Sequence, residues 1–407
     1  MRISIIKPAQ QRERGQTMAL VALSMFTLIA MAALAIDLTT LYEARSEMQR
    51  AADAAALAGA KAFVDSSTTT DPGNSTLQTV ATALASSYIN QVLAQNKVGG
   101  ITPTLKSAVE NYTAHPGNPQ ITVTLERTDL PTFFARIFGR RLATVRATAI
   151  AEAYNSSGHT VPVATKCVKP WIIPNSNPQD GNGTFVTTSN GAVTNPDKVI
   201  GNQFKLCIAG SPGCTGGVNN LTYATAQVNL ASGSLCPSCD TGANDYRQSV
   251  DCCNNQTYQC GDRVNIDPND HSIDTLDGGE CLIHASAAGT NNGQDTLDLT
   301  GFTNNTGPIA FRTGSNNLMS VPRNTEVNNS DSMVTILVAT STSLPTVTAT
   351  VGGFMRAFVE SVGSTGGGAN SDIQVTFVNL AGCSSSSSGT AISGGGASPI
   401  PVRLIHN

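Results

Sequence analysis

The chain has 407 residues, a length that accommodates two or three domains at roughly 150 residues each. Only 13% are charged, against a usual share of about 25%, and the formal net charge is −4 with no long basic block, which argues against a nucleic-acid binder. Hydrophobic residues make up 40%, enough for real cores, so wholesale disorder is excluded as well.

Residues 1–16 carry Arg2, Lys7, Arg12 and Arg14 against one acid, Glu13, and residues 17–36 then run without a single charge. A helix rising about 1.5 Å per residue crosses the roughly 30 Å hydrocarbon layer over such a length. Lipid cannot satisfy bare backbone groups, so a helix is the form this segment takes if it spans. Residues 37–407 hold 20 basic against 27 acidic groups, so the charge bias predicts a single pass through a bacterial inner membrane, N-terminus inside and bulk outside. The alternative is a cleaved signal peptide, because Ala33-Leu34-Ala35 resembles a small-residue cleavage site. Signal h-regions run only to about 15 residues, however, and here the helical pattern continues unbroken past the apolar run, which favours a retained anchor.

That continuation, residues 37–64, has no Pro and one Gly near its end. Leu34, Leu38, Leu41, Arg45, Met48, Ala52, Ala55 and Gly59 follow steps of four and three, a seam interrupted by Arg45. Ala52, Ala56 and Ala60 recur every four residues, as do Ala55 and Gly59, and small side chains at this spacing let another backbone approach closely. Two readings stay open: packing of the helix on its own domain, or assembly with other helices. With the span, the helix predicted from about Thr17 to Val64 is on the order of 70 Å long.

These residues carry a resemblance. The series Arg14-Gly15, the apolar span, Ala35-Ile36-Asp37, Leu41-Tyr42 and Gln49 through Ala60, with Asp53 inside its alanine block, resembles the Flp pilus-assembly TadE/TadG-like N-terminal domain over roughly residues 13–63. The resemblance implies a membrane-anchored, minor-pilin-like protein of a tight-adherence apparatus, with other pilus-assembly or pilin-like proteins as partners through the N-terminal helix. Type IV prepilins are cut after a Gly and carry Glu at the fifth mature position. Counting from Gln16, the fifth residue here is Leu20, so an uncut anchor is expected. Some TadG-like relatives carry a von Willebrand A domain with an Asp-x-Ser-x-Ser motif. The nearest string, Asp65-Ser66-Ser67-Thr68-Thr69, lacks the preceding buried strand, and that domain is expected to be absent.

Residues 65–75 read as a polar loop with Pro-Gly turn chemistry. Leu77, Val80, Ala81, Leu84, Tyr88 and Val92 predict a second helix that ends at Gly99-Gly100. Residues 121–127 alternate as a strand, 131–139 read as a short amphipathic helix stopped by Gly139, and 141–153 alternate again. The fold class predicted is α+β: a transmembrane helix (17–36) after a cytoplasmic tail (1–16), a pilin-like α+β domain (37–153) on the long helix, then a β-rich, disulfide-containing extracytoplasmic domain (154–407). In that last part 334–340, 345–362 and 372–380 are the clearest strands, and 384–397 reads as a flexible Ser/Gly stretch.

All ten cysteines lie in the last part: Cys167, Cys207, Cys214, Cys236, Cys239, Cys252, Cys253, Cys260, Cys281 and Cys383. An even count in an exported region predicts disulfides clamping loops too polar to bury much core. Zinc held by Cys236, Cys239, Cys252, Cys253 and Cys260 with His271 or His284 is the sharper and less favoured alternative, since no second Cys-x-x-Cys follows. A redox use of Cys236 and Cys239 lacks the βαβ pattern it would need. Asp267, Asp270, Asp274, Asp277 and Glu280 with Gly278-Gly279 offer a calcium loop, but the spacing is not that of an EF-hand and a solvated acidic turn is favoured. No G-x-S-x-G, H-E-x-x-H or phosphate-loop motif is present, and His115, His159, His271, His284 and His406 are scattered through turn-like text. Trp171 reads as a core anchor. No enzyme activity and no cofactor are expected. The ligand of the C-terminal domain is unknown, and the alternative function is a surface or pilus-tip adhesin.

Overall fold

The computed structural model describes residues 12–112, 118–208, 217–230, 244–285, 293–304, 306–363, 372–394 and 396–405, apart from the side chains of 12–15, 137 and 138. The chain up to residue 11, His115, His406, Cys214, Cys236 and Cys239 lie outside the described residues. Two compact units are present: one holds the chain up to Ala55 with Gln91–Ala108 and Val123–Ala149, the other Ala56–Asn90, Val109–Thr122 and the chain from Ile150 onward.

Helix α1 (Arg12–Asp65) is one uninterrupted helix that takes in the end of the charged tail as well as the apolar run. After the turns at 66–74 comes α2 (Ser75–Gln95), its first turn held by Asn74, whose side-chain oxygen accepts from the N–H groups of Thr76 and Leu77 at 3.1 and 3.3 Å. Strands β1 (Thr104–Asn111), β2 (Gln120–Pro131) and β3 (Leu142–Ala153) follow, and between the last two the expected helix is a single 3-10 turn, Ala135–Phe138, ended by Gly139 at φ 85°. In β2 every second residue from Ile121 to Arg127 is buried, the period of a strand with one covered face.

In the first unit Met48, Ala51, Ala52 and Ala55 of α1 are buried. Glu47 accepts the Gly99 N–H at 2.6 Å, and the buried Arg127 donates to the carbonyls of Val98 and Gly99 while pairing with Asp129 at 2.8 Å.

The later elements are β4 (Val163–Thr165), β5 (Val168–Ile173), β6 (Gln203–Ile208), β7 (Asn220–Thr225), α3 (Asp245–Asp251), β8 (Tyr258–Gln259), β9 (Arg263–Asn265), α4 (Ser272–Leu282), β10 (Thr296–Asp298), α5 (Thr300–Thr303), β11 (Ala310–Arg312), β12 (Glu326–Val327), β13 (Met333–Ala339), β14 (Thr348–Val362), β15 (Asp372–Gly382), β16 (Ile392–Ser393) and β17 (Val402–Ile405). The main sheet runs β13-β5-β7-β6-β15-β14-β9, and β13 also pairs with β14. The first six strands therefore close on themselves as a barrel, which leaves no open edge among them. Alternate residues fill it: Trp171 and Ile173, Phe204 and Leu206, Leu221 and Tyr223, Val334, Ile336 and Val338, Met355, Ala357 and Val359, then Ile373, Val375 and Phe377 all share one core. The opposite faces feed smaller clusters, Ile172, Leu337 and Phe354 in one and Phe358 in another. Trp171 is fully buried, 6.2 Å from the Tyr223 ring.

Four sequence readings are corrected. The polar segment after α1 is no open loop: Ser66, Ser67, Thr68, Thr69 and Thr70 are buried. Its hydroxyls bond within the second unit, Ser67 to Val378 O at 2.7 Å and Thr70 to Asn379 Oδ1 at 2.9 Å. The Ser/Gly stretch is pinned, with the Ser385 N–H on Thr188 O, the Ser388 N–H on Thr160 O, and β16 paired to β4. The acidic run is largely helical, with Asp274, Asp277 and Glu280 on α4. Its glycines serve close approach, since a Cβ on Gly278 would sit 3.0 Å from Arg247 O. Finally, the chain beyond residue 154 does not keep to itself, because β17 pairs with β3 in the sheet ordered β1-β2-β3-β17.

Candidate functional site: the anchor helix and its junction

The helix Gln16–Asp65 is long and apolar enough to cross a membrane, with a mean hydropathy of 2.5 in a window of which none is buried. Met18, Leu20, Leu23, Phe26, Leu28, Ile29 and Met31 are each at least 62% exposed, an apolar surface all round that water would not tolerate. The first residue past this surface, Asp37, is 4% exposed. Its carboxylate reaches the strand connection of the same unit: the Phe133 N–H donates to Oδ1 at 2.8 Å, and the N–H groups of Phe134 and Ala135 donate to Oδ2 at 3.0 and 2.5 Å. The 3-10 turn has no side-chain cap of its own at its N-terminal end, and a side chain nearly a hundred residues upstream supplies one.

Burial of Asp37 opposes its charge, but the three N–H donors outweigh that and hold the carboxyl below its usual range. A lowered native pKa makes the contribution full above the ordinary carboxylate value near 4, and it fades as pH falls through the lowered value. Asp37→Ala is accordingly expected to speed amide exchange at Phe133, Phe134 and Ala135 at neutral pH, with little change elsewhere. Unaltered exchange at those three amides would refute the latch.

Of the small residues on α1, Ala52, Ala55, Ala56 and Ala60 are fully or almost fully buried. A Cβ placed on Gly59 would lie 2.7 Å from Ile121 Cδ1 and 3.2 Å from Ile89 Cδ1. In the described chain these alanines are covered, and Gly59 packs on β2 and α2. Gly59→Leu is thus a folding variant, expected to lose about 1–3 kcal/mol in urea unfolding.

The cysteines seen in full form Cys167–Cys253 and Cys260–Cys383 bridges, and Cys207, Cys252 and Cys281 are disulfide-bonded as well. Cys252, Cys253 and Cys260 therefore have no thiolate to offer zinc. Among the described residues no group of three or more His, Cys, Asp and Glu is placed to hold a metal ion. The acidic residues proposed for calcium have protein partners instead. Asp267 and Asp274 flank His271 at 3.1 and 3.0 Å, Asp270 accepts the Ser272 N–H at 2.9 Å, and Asp277 pairs with Arg247 at 2.7 Å.

The sequence reading missed a buried lysine and a half-buried arginine. Lys169 of β5 is 4% exposed, with Nζ donating to Cys252 O at 2.8 Å, and burial pushes its pKa down to about 7. The unfolded chain then binds the proton more readily than the native one between about pH 7 and 10, so this group makes stability rise with pH across that window. Lys169→Met is expected to be neutral or stabilising by about 1–4 kcal/mol at pH 6, with the gain vanishing toward pH 10. Melting curves at the two pH values check it. Arg356 of β14 lines a cavity of about 500 Å³ together with Lys61, Asp65, Asn328 and Ser398. Lys61 pairs with Asp65, which also accepts from the Tyr88 hydroxyl at 2.9 Å, so the charges there are mixed and no nucleophile stands beside a base.

No curated protein and no solved structure matches this chain. Over residues 15–62, the part that holds the exposed apolar helix, Asp37 and the alanine stripe, the chain matches the Tad family, described as putative Flp pilus-assembly TadE/G-like.

Proposed function

We propose that the protein is a membrane-anchored, minor-pilin-like component of a Flp (tight-adherence) pilus system, acting in pilus assembly through protein contacts rather than catalysis. The observation that carries this reading is the bare apolar surface of α1 within the segment matching the family, continuous with a helix whose outer part is packed into folded structure. Because the alanine stripe is covered, contacts with other pilus proteins fall to the span itself and to the exposed surfaces of the folded part. N-terminus inside and bulk outside is the orientation that the sequence charge bias and the disulfides support.

The test replaces residues 17–36 by an unrelated apolar span of equal length in a cell that makes such pili. The expected result is retention in the membrane with loss of co-purification with the pilus machinery. Unchanged co-purification would refute contacts through the span, and unchanged piliation after deletion of the whole gene would refute the pilus role.

A further inference from the structure

The connection between β2 and β3, residues 131–142, reads PTFFARIFGRRL: three arginines, no acid, and a high share of apolar side chains. Phe133 and Leu142 are each 58% exposed, and Arg136, Arg140 and Arg141 are exposed. Farther along the same sheet the cations are paired, Arg127 with Asp129 and both Lys106 of β1 and Arg146 of β3 with Glu126. Arg136, Arg140 and Arg141 form no ion pair among the described residues. An apolar tip with unpaired cations around it is a poor surface to leave in water, and its composition is that of a segment lying in a lipid headgroup layer.

Its position decides what covers it. The backbone of Phe133, Phe134 and Ala135 is bonded directly to Asp37, the first residue after the charge-free span. Since α1 runs unbroken through that point, the tip stands within a few ångströms of the level at which the helix leaves hydrocarbon. The charge is positive, and the complementary partner at that level is an anionic phospholipid headgroup.

We propose that this hairpin tip is a second foot on the bilayer: Phe133 and Leu142 enter the boundary between headgroups and acyl chains, while Arg136, Arg140 and Arg141 pair with anionic headgroups. The foot rests on the reading of residues 17–36 as a membrane span. It fixes the tilt of the anchor helix and holds the folded part at a set height, which a single flexible attachment would not do.

The test uses the full chain in bilayers of phosphatidylcholine, with or without phosphatidylglycerol, carrying brominated acyl chains. The native Trp171 is buried and supplies a constant background and a check of folding. Phe26→Trp reports the span and Phe133→Trp the foot. Phe133→Trp emission should shift to the blue and be quenched most by bromines near the headgroup end of the chains, more so with phosphatidylglycerol and less at high salt. Each arginine replaced in R136Q/R140Q/R141Q should weaken attachment roughly fivefold. In the unaltered chain, trypsin cleavage after these arginines should slow in phosphatidylglycerol bilayers relative to neutral detergent. Quenching of Phe26→Trp with a water-like, unquenched Phe133→Trp would overturn the foot and leave the anchor standing. A Phe133→Trp shielded from water yet unquenched by any lipid would overturn it in favour of a protein surface. An unquenched Phe26→Trp would overturn the anchor and the foot together.

Discussion

Joint replacement of Cys260 and Cys383 by alanine is expected to lower stability by about 5 kcal/mol in the chain-entropy model, because the bridge closes a loop across 123 residues. The loop contains β9, α4 and β10 to β15, so without the bridge the unfolded chain regains the freedom of nearly all the later strands at once. Cys383 follows β15 and Cys260 follows β8, and both belong to the cluster that packs outside the barrel with Val163, Ile172 and Phe354. Some packing is therefore lost with the bond. Urea unfolding followed by the fluorescence of Trp171, the only tryptophan, reads the change directly. A loss under about 1 kcal/mol would mean that the native state, not the unfolded chain, sets the balance here.

Asn379→Leu comes second, with an expected loss of about 3 kcal/mol or more. The side-chain amide donates to Val64 O at 2.7 Å, and its carbonyl accepts from the hydroxyls of Thr70 and Thr69 at 2.9 and 3.2 Å. Leucine leaves all three groups buried without that partner, and such groups cost about 1–3 kcal/mol each. Val64 belongs to the last turn of α1, so the amide is a clasp between the end of the long helix and β15. Adding Thr69→Val should restore part of the loss, because matched apolar replacement removes that unsatisfied hydroxyl along with its partner, while Thr70 is kept because its hydroxyl also accepts the Leu380 N–H at 3.1 Å. If the double variant Asn379→Leu with Thr69→Val is as unstable as the sum of its parts, the clasp does not act as a unit.

What could be read from the residues divides along physical lines. The span, the seam through Met48, Ala52 and Ala55, helix α2 and strands β2, β3, β13, β14 and β15 were legible because each repeats apolar side chains at its own period. Strand β1 was not, since TLKSAVEN lies exposed or half-covered along its length and shows no covered face to alternate. Closure of the barrel depends on pairings such as Leu337 with Ile172 and Val375 with Phe204, which join segments far apart in the chain and leave no local mark. Helix α4 was hidden by Gly278-Gly279, residues that signal a turn but are needed here for close packing on α3 and β14. The polar run Ser66 to Thr70 was misread for the opposite reason. Its composition is that of a solvated loop, yet each buried hydroxyl in it has a partner. At the candidate site, Asp37 was visible as a charge ending the span. That it caps a turn nearly a hundred residues later was not, because nothing in a local window names the donors.

The return of β17 to β3 has a bearing on the order of events during folding. Glu152 of β3 and Arg403 of β17 pair across 251 positions, so the strand made early must wait, its edge bare at Ile150–Ala153, until that much further polypeptide has been made. A waiting edge is a template for any strand that passes, including one from a neighbouring copy. Crowding many nascent copies together would then favour swapped or tangled products, and an escort that shields Ile150–Ala153 during this interval would raise the yield of correctly threaded molecules.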